Sequence, residues 1–316
     1  VTADTMLSRI AESLFWLGRY VERADDTARI LDAYLHRLLE DPWRDEDAAC
    51  RSLHAILGVV PDPGQPCDMD AVLDRLAFDS GELTSIDGAL RAARENALRA
   101  REVVSTEMWE CLNSTWHQLA AQQLAARRTG PHAYLGLVRR RAALFSGLVD
   151  STMSRDDGWR FVVLGRSLER VDMTARLLAV RVLDAAHAPD WPTLLSASGA
   201  DEAFLRARAG IVQGSGGAAE FLLLDRDFPR SVLHALTTAE ECVMALGTED
   251  AVGRPDPLRL PVGRMRTRLE YLDAREPIDL PTLLIDLQRS CGEASRAVAE
   301  RFFPFDGPLT WELEGA

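Results

Sequence analysis

Two stretches of the chain match each other without a gap: Leu17-Gly-Arg-Tyr-Val-Glu-Arg-Ala-Asp-Asp-Thr-Ala-Arg-Ile-Leu31 and Leu164-Gly-Arg-Ser-Leu-Glu-Arg-Val-Asp-Met-Thr-Ala-Arg-Leu-Leu178, identical at ten of fifteen positions. A second block keeps the spacing, since Asp79, Ser85, Leu90, Ala93 and Glu95 fall on Asp225, Ser231, Leu236, Ala239 and Glu241. The offsets are 147 and 146 residues, so order and distance along the chain are both preserved. Such self-similarity indicates an internal duplication, one unit over roughly 1–150 and the other over 151–316. Duplicated helical units tend to pack about a pseudo-twofold axis, each burying the stripe its partner exposes. The short polar junction Ser151–Gly158 predicts one continuous structure in which neither half is stable alone.

The period of the apolar residues makes both units helical. At 100° per residue, Leu17, Val21, Ala24, Ala28 and Leu31 form one stripe, and Leu164, Leu168, Val171, Ala175 and Leu178 form its twin. Leu, Ala, Arg and Glu are abundant elsewhere and strand-like alternation is scarce, so the fold class is all-α, a helical bundle. Long helices are expected over about 5–39, 83–104, 107–128, 132–152 and 157–186. Shorter ones are expected over 201–212, 230–246, 257–272 and 281–302, with Asp41-Pro42, Pro61-Asp62-Pro63-Gly64, Gly130-Pro131, Pro189 and Pro192, and Asp306-Gly307-Pro308 as punctuation.

Composition removes several mechanisms. All 36 basic residues are Arg, so a Schiff-base lysine, a pyridoxal-phosphate site and a P-loop lysine have no amine to use. The formal charge of −13 opposes non-specific binding to nucleic acid. Five scattered cysteines without a C-x-x-C pair indicate neither a disulfide framework nor a zinc knuckle. No apolar run approaches the ~18 residues of a membrane span, and the first residues lack a signal-peptide pattern. A soluble, cytoplasmic protein is expected.

Beside the apolar stripe, Gly18, Glu22, Asp25 and Arg29 cluster on one flank of the repeated helix and Arg19 and Arg23 on the other. Their twins are Gly165, Glu169, Asp172, Arg176, Arg166 and Arg170. An exposed ion pair contributes only ~0–1 kcal/mol, too little to hold identical charges at identical positions through divergence. These groups are therefore expected to be partnered, as Glu22 with Arg29 or Arg19 with a carboxylate of the other unit. Two readings stand side by side. The cluster is a structural ion-pair network, or it lines a pocket in which arginines hold a carboxylate or phosphate and a glutamate, Glu22 or Glu169, acts as base.

Other candidates are thinner. Ser105 or Thr106 caps a helix that carries Glu107 in its first turn; Glu110 and Asn113 share one face of it and could reach a pocket, with Glu110 a further catalytic candidate. Trp109, Leu112 and Trp116 have core spacing. A di-metal carboxylate bundle needs Glu-x-x-His pairs, and no histidine stands three residues after a glutamate, so no metal is assigned beyond an opening for an all-oxygen Mg²⁺ site. No Gly-x-Ser-x-Gly elbow is present, Cys111 and His117 point apart on one helix, and Gly214-Ser215-Gly216-Gly217 reads as a flexible loop. No cofactor is expected.

These motifs carry a resemblance. Met6-Leu-Ser-Arg-Ile-Ala-Glu-Ser-Leu-Phe-Trp-Leu-Gly-Arg-Tyr-Val-Glu-Arg-Ala-Asp-Asp-Thr-Ala-Arg29, Glu107-Met-Trp-Glu-Cys-Leu-Asn113, Leu164-Gly-Arg-Ser-Leu-Glu-Arg170 and Glu220-Phe-Leu-Leu-Leu-Asp-Arg-Asp-Phe-Pro-Arg-Ser-Val232 resemble the bacterial alpha-E domain family over nearly the whole chain up to Phe303. The resemblance implies a companion role beside circularly permuted ATP-grasp ligases and transglutaminase-like peptidases, in a system that forms and cleaves amide bonds on peptides. It points to Glu22, Arg23, Glu107, Glu110, Asn113, Glu169 and Arg170. One departure is Phe78-Asp79-Ser80-Gly81-Glu82, where the family has Asp and Pro as at Asp225–Pro229, which puts in doubt any function needing that first turn. Three readings follow: a non-catalytic partner that binds the ligase, its peptide substrate or another anionic small molecule; an enzyme of peptide or amino-acid amide chemistry; and a structural homo-oligomer.

Overall fold

A computed structural model describes residues 8–60 apart from 42 and 44, and residues 67–183, 189–207, 216–247, 256–272 and 279–303. Every regular element among them is helical. The two helices that carry the repeated motif, α1 (Ser8–Glu40) and α7 (Asp157–Leu183), are the longest pair in mutual contact and pack on each other more extensively than any other two elements. Close approach is enforced by glycine. A Cβ on Gly18 would sit 2.1 Å from the carbonyl oxygen of Val162, and a Cβ on Gly165 would sit 2.1 Å from that of Phe15. The backbones touch at this crossing, and neither position has room for a side chain.

Around this crossed pair the remaining helices form two similar sets. On one side α4 (Ile86–Arg99) lies on α1, and α5 (Thr106–Thr129) pairs with α6 (His132–Thr152), which returns to α1. On the other, α11 (Val232–Leu246) lies on α7, and α12 (Leu260–Glu270) pairs with α13 (Leu280–Phe302), which returns to α7. The helix after each central one crosses to its neighbour: α2 (Glu46–Leu57) packs on α7, and α8 (Trp191–Ala197) packs on α1. Short pieces complete the chain, namely α3 (Met69–Leu73) with a π-helical turn at Asp74–Phe78, α9 (Asp201–Ala207) and α10 (Gly216–Leu224).

The predicted stripes are core, all ten residues being buried. Capping also follows the sequence: Ser85 and Ser231 begin α4 and α11, and Ser105 begins α5, each accepting a backbone N–H three residues on. The Ser85 and Ser231 hydroxyls additionally donate to the carbonyls of Asp79 and Asp225, so the turn at 78–82 has the same closure as its counterpart despite its departure from the family pattern.

Two expectations change. α2, α3, α8 and α10 were not foreseen, and Asp190-Trp191-Pro192, read as a break, is an N-cap with proline in the first turn of α8. Gly216-Gly217 opens α10 and is not part of a loop; Gly214 and Ser215 lie outside the described residues, as do Pro61–Gly64 and Asp306–Pro308. Because α4, α6, α7 and α8 all pack on α1, its charged flanks are buried with its apolar stripe, as the expectation of partnered charges requires.

Candidate functional site

Burial of those flanks brings the Glu-Arg pairs of α1 and α7 together. Glu169 is 1% exposed and accepts from Arg19 Nε at 2.6 Å and from Arg23 Nε at 2.5 Å and Nη2 at 3.1 Å. Reciprocally, Glu22 is 2% exposed and accepts from Arg170 Nε at 2.6 Å and Nη2 at 3.2 Å. Each Glu-Arg dipeptide thus grips the other across the helix crossing, with the arginine bidentate on the carboxylate, the strongest hydrogen-bonded form of the pair. Arg23 Nη1 and Arg170 Nη1 then donate to the carbonyls of Leu83 and Pro229, at 3.4 Å in both cases. Aromatic faces flank two of the arginines: Arg19 lies over Phe15 and Trp16, and Arg23 over Tyr20.

The two clasps differ in the second arginine. At Glu169 it is Arg19, whose Nη1 also donates to Ser295 Oγ on α13 at 2.7 Å. At Glu22 the equivalent Arg166 does not make that contact; its nearest carboxylate oxygen is Asp150 Oδ2 at 3.9 Å, and its Nε is buried with no partner among the described residues. Arg230, just before α11, takes the place, reaching Glu22 Oε1 at 2.9 Å and also Asp25 Oδ2 and Asp26 Oδ1. Asp25 is shared with Arg29 Nε at 3.0 Å, and Asp172 pairs with Arg176 Nε at 2.9 Å. The expected Glu22–Arg29 pair is therefore replaced by Asp25–Arg29, the carboxylate one helical turn from Arg29.

Electrostatics follows this wiring. Burial works to raise the Glu22 carboxyl, but Arg170 and Arg230 overcome it and hold the group down at about 2. Burial likewise opposes ionisation of Glu169, and Arg19 and Arg23 bring it below the ordinary glutamate range. Asp26 goes the other way: burial, with repulsion from Glu22 and Asp25, outweighs Arg230 and pushes it up to about 8. Burial also raises Asp172.

What the arrangement can do chemically is limited by access. Glu22 and Glu169 are almost fully buried and line neither of the two large clefts described next. A void of about 10 Å³ beside Asp26 and Arg230 has room for one water at most. Two larger clefts flank the clasps. One, of about 640 Å³, lies between α2, α7 and α13 and is lined by Asp47, Arg51, Ser52, Arg176 and Gln288. The other, of about 860 Å³, is lined by Arg29, Arg139, Arg206, Glu202 and Phe228, among others. The remaining candidates are not brought to the clasps. Glu107 and Glu110 are exposed on α5, a helix that packs on α4 and α6, and Asn113 accepts from Arg94 Nε at 2.9 Å. Trp109 and Trp116 pack against the core as their spacing predicts.

Two groups escaped the sequence reading. Arg230 lies inside the Glu220–Val232 stretch but has no charged counterpart in the first unit, where Thr84 stands at its position, so the repeat did not single it out. Asp32, His36 and His132 converge at one end of α1 and α6, with side-chain donors within 4.8 Å of one another. A search confined to Glu-x-x-His passes over Asp32-x-x-x-His36, although that spacing puts both side chains on one helical face.

An all-helical chain whose two central helices are locked by reciprocal Glu-Arg pairs is the class of protein defined by this geometry. The chain belongs to the Alpha-E family, described as "a predicted alpha-helical domain with a conserved ER motif", whose match covers residues 6–303. The pairs Glu22-Arg23 and Glu169-Arg170 are of the kind this description names. Uncharacterized proteins of Mycobacterium tuberculosis and of Mycobacterium bovis are each 25% identical over 289 residues, a match that takes in 83% of this chain. The chain spans 32% of the length of these curated relatives. No solved structure matches it. Among the described residues no helix is long and apolar enough to cross a membrane.

Proposed function

We propose that this protein is a non-catalytic binding component that acts beside an ATP-grasp amide ligase and a transglutaminase-like protein, holding the ligase or its peptide substrate. The observation that carries the non-catalytic part is the state of the two glutamates. A general base must reach the proton it abstracts, whereas Glu22 and Glu169 are each saturated by two arginines and closed off from both clefts. Chemistry at the clasp would first have to orphan a buried charge, at a cost of ~3–5 kcal/mol. The companion role is supported by the motifs that resemble the alpha-E family and by the length of the relatives, in which the shared region is about a third of a longer chain. Recognition of a carboxylate or another anionic group falls to the clefts, where Arg29, Arg139 and Arg206 on one side and Arg51 and Arg176 on the other face solvent-reachable space.

The architecture belongs to the same proposal. Residues 1–150 and 151–316 are two copies of one helical unit, related by a pseudo-twofold axis through the Gly18–Gly165 crossing and folded as one body. Support comes from paired contacts one offset apart: Gly18 on Val162 against Gly165 on Phe15, Arg23 on Glu169 against Arg170 on Glu22, and Arg23 on Leu83 against Arg170 on Pro229. The left-handed glycines that end α2 and precede α9, Gly58 and Gly199, likewise face Arg176 and Arg29.

Co-expression with the ATP-grasp ligase and the transglutaminase-like protein, followed by size exclusion with light scattering, tests the role. A stable complex, weakened by Arg29→Glu or Arg176→Glu, is expected. Absence of any complex, with no peptide retained, would sink it. If Glu22→Gln and Glu169→Gln stay folded but abolish the pathway product, the enzymatic reading replaces this one.

A further inference from the structure

We propose that Asp32, His36 and His132 form a binding site for a late first-row divalent metal such as Zn²⁺, Co²⁺ or Ni²⁺, at the rim of the larger cleft. α1 presents Asp32 and His36 one turn apart, and His132, the first residue of α6, closes the group from the adjacent helix. Asp32 Oδ1 and His132 Nδ1 are 2.8 Å apart. With metal–ligand bonds of ~2.1 Å, an ion touching both would subtend an angle close to the ~90° between neighbouring ligands of an octahedral shell. The His36 and His132 rings lie with centroids 4.4 Å apart, and the His36 donor atom is within 4.8 Å of both other ligand atoms, which makes it the third member of the group.

Supporting groups fit a metal better than a simple ion pair. Asp32 is 15% exposed and its second oxygen, Oδ2, accepts from Arg139 Nη1 at 2.8 Å, which fixes the carboxylate with Oδ1 turned to His132 Nδ1, a hydrogen bond that a shared ion would replace. An Asp–Arg pair that only held α1 to α6 would need neither imidazole, and two imidazoles in contact repel once both are protonated. His36 is exposed and makes no hydrogen bond among the described residues, so an ion has a route in. Two nitrogens and one oxygen suit borderline metals over Ca²⁺ or Mg²⁺, and the five cysteines are all buried and offer no competing exposed thiolate. Three protein ligands leave coordination positions open. Arg139 both grips Asp32 and lines the cleft with Arg29 and Arg206, so an acidic group of a bound molecule could fill such a position. The inference is independent of the proposed partner role.

Calorimetric titration of untagged, chelator-treated protein with ZnCl₂, and visible absorption on addition of CoCl₂, test it. One equivalent of Zn²⁺ and Co²⁺ ligand-field bands are expected. His36→Ala and His132→Ala should each weaken binding by at least 100-fold and abolish the bands, while His117→Ala, an exposed histidine on α5, leaves both unchanged. Because His36 is exposed, its variant keeps the wild-type melting temperature, which separates lost ligation from lost fold. No stoichiometric binding, or wild-type affinity in His36→Ala, would overturn the assignment.

Discussion

At Glu169 one buried carboxylate meets two guanidinium groups, Arg19 and Arg23, whereas at Glu22 three buried carboxylates, Glu22, Asp25 and Asp26, converge on Arg230 with Arg170 and Arg29 alongside. The positions explain the divergence. One offset away from Asp26 stands Met173, and one offset away from Arg230 stands Thr84. An acid and an arginine are thus present together in one clasp and replaced together by uncharged residues in the other. Arg230 takes the place of Arg166 at the carboxylate, and burial beside Glu22 and Asp25 raises the pKa of the added acid. What is common to both clasps is the reciprocal Glu-Arg grip; what varies is how the remaining charge is balanced.

The largest effect should come from the crossing that both clasps share. Gly18→Ala or Gly165→Ala drives a methyl into a backbone carbonyl and forces α1 and α7 apart. Because the atom met is backbone, a loss well beyond the ~1–3 kcal/mol of ordinary overpacking, and beyond the ~3–5 kcal/mol of an orphaned buried charge, is expected, read as a denaturant midpoint. Next, Glu169→Gln orphans Arg19 and Arg23 and should cost ~3–5 kcal/mol. Glu22→Gln should cost less, because Arg230 keeps Asp25 and Asp26 as partners. Equal losses in the two variants would break the proposed asymmetry.

A smaller effect is a slope with pH. Asp26 holds its proton up to about 8 in the folded protein but only to ~3.9 in the unfolded chain. The folded state binds more protons between those values, so its stability falls as pH rises through them, by at most ~1.4 kcal/mol per pH unit. Asp87, raised by burial to about 6, adds to the slope only in its lower part. Glu22 acts in the opposite sense, its contribution being lost as pH falls from the ordinary glutamate value toward about 2. Asp26→Asn should therefore flatten the decline between pH 6 and 8 in chemical denaturation. Smallest of all, Gly147→Ala and Gly292→Ala, helical positions with no atom within 4 Å of the new methyl, should gain up to ~1 kcal/mol. The contrast with Gly18 and Gly165 separates glycines that the crossing requires from those it does not.

Much of this was written in the chain. The fifteen-residue match located the two helices that make the seam, and the stripes Leu17–Leu31 and Leu164–Leu178 identified their core faces, because a 3.6-residue period survives in any helix that buries one side. The expectation that the repeated charges are partnered also held, with Arg19 of α1 on Glu169 of α7. Partner choice was less legible. Glu22 and Arg29 are near enough along one helix to suggest a pair, yet Arg170 from α7 wins because burial favours the bidentate cross-helix geometry. Arg230 and His132 reach their partners only through tertiary packing, more than ninety residues away in sequence, which no local pattern encodes. Short helices such as α8 lack the length for a periodic signal.

The central claim, that the reciprocal Glu-Arg grip is a structural lock, is tested most directly by a double-mutant cycle on Glu169→Gln and Arg23→Met in chemical denaturation. A coupling of about 1–3 kcal/mol is expected, with the double variant losing far less than the sum of the singles. Additivity within about 0.5 kcal/mol would contradict the account.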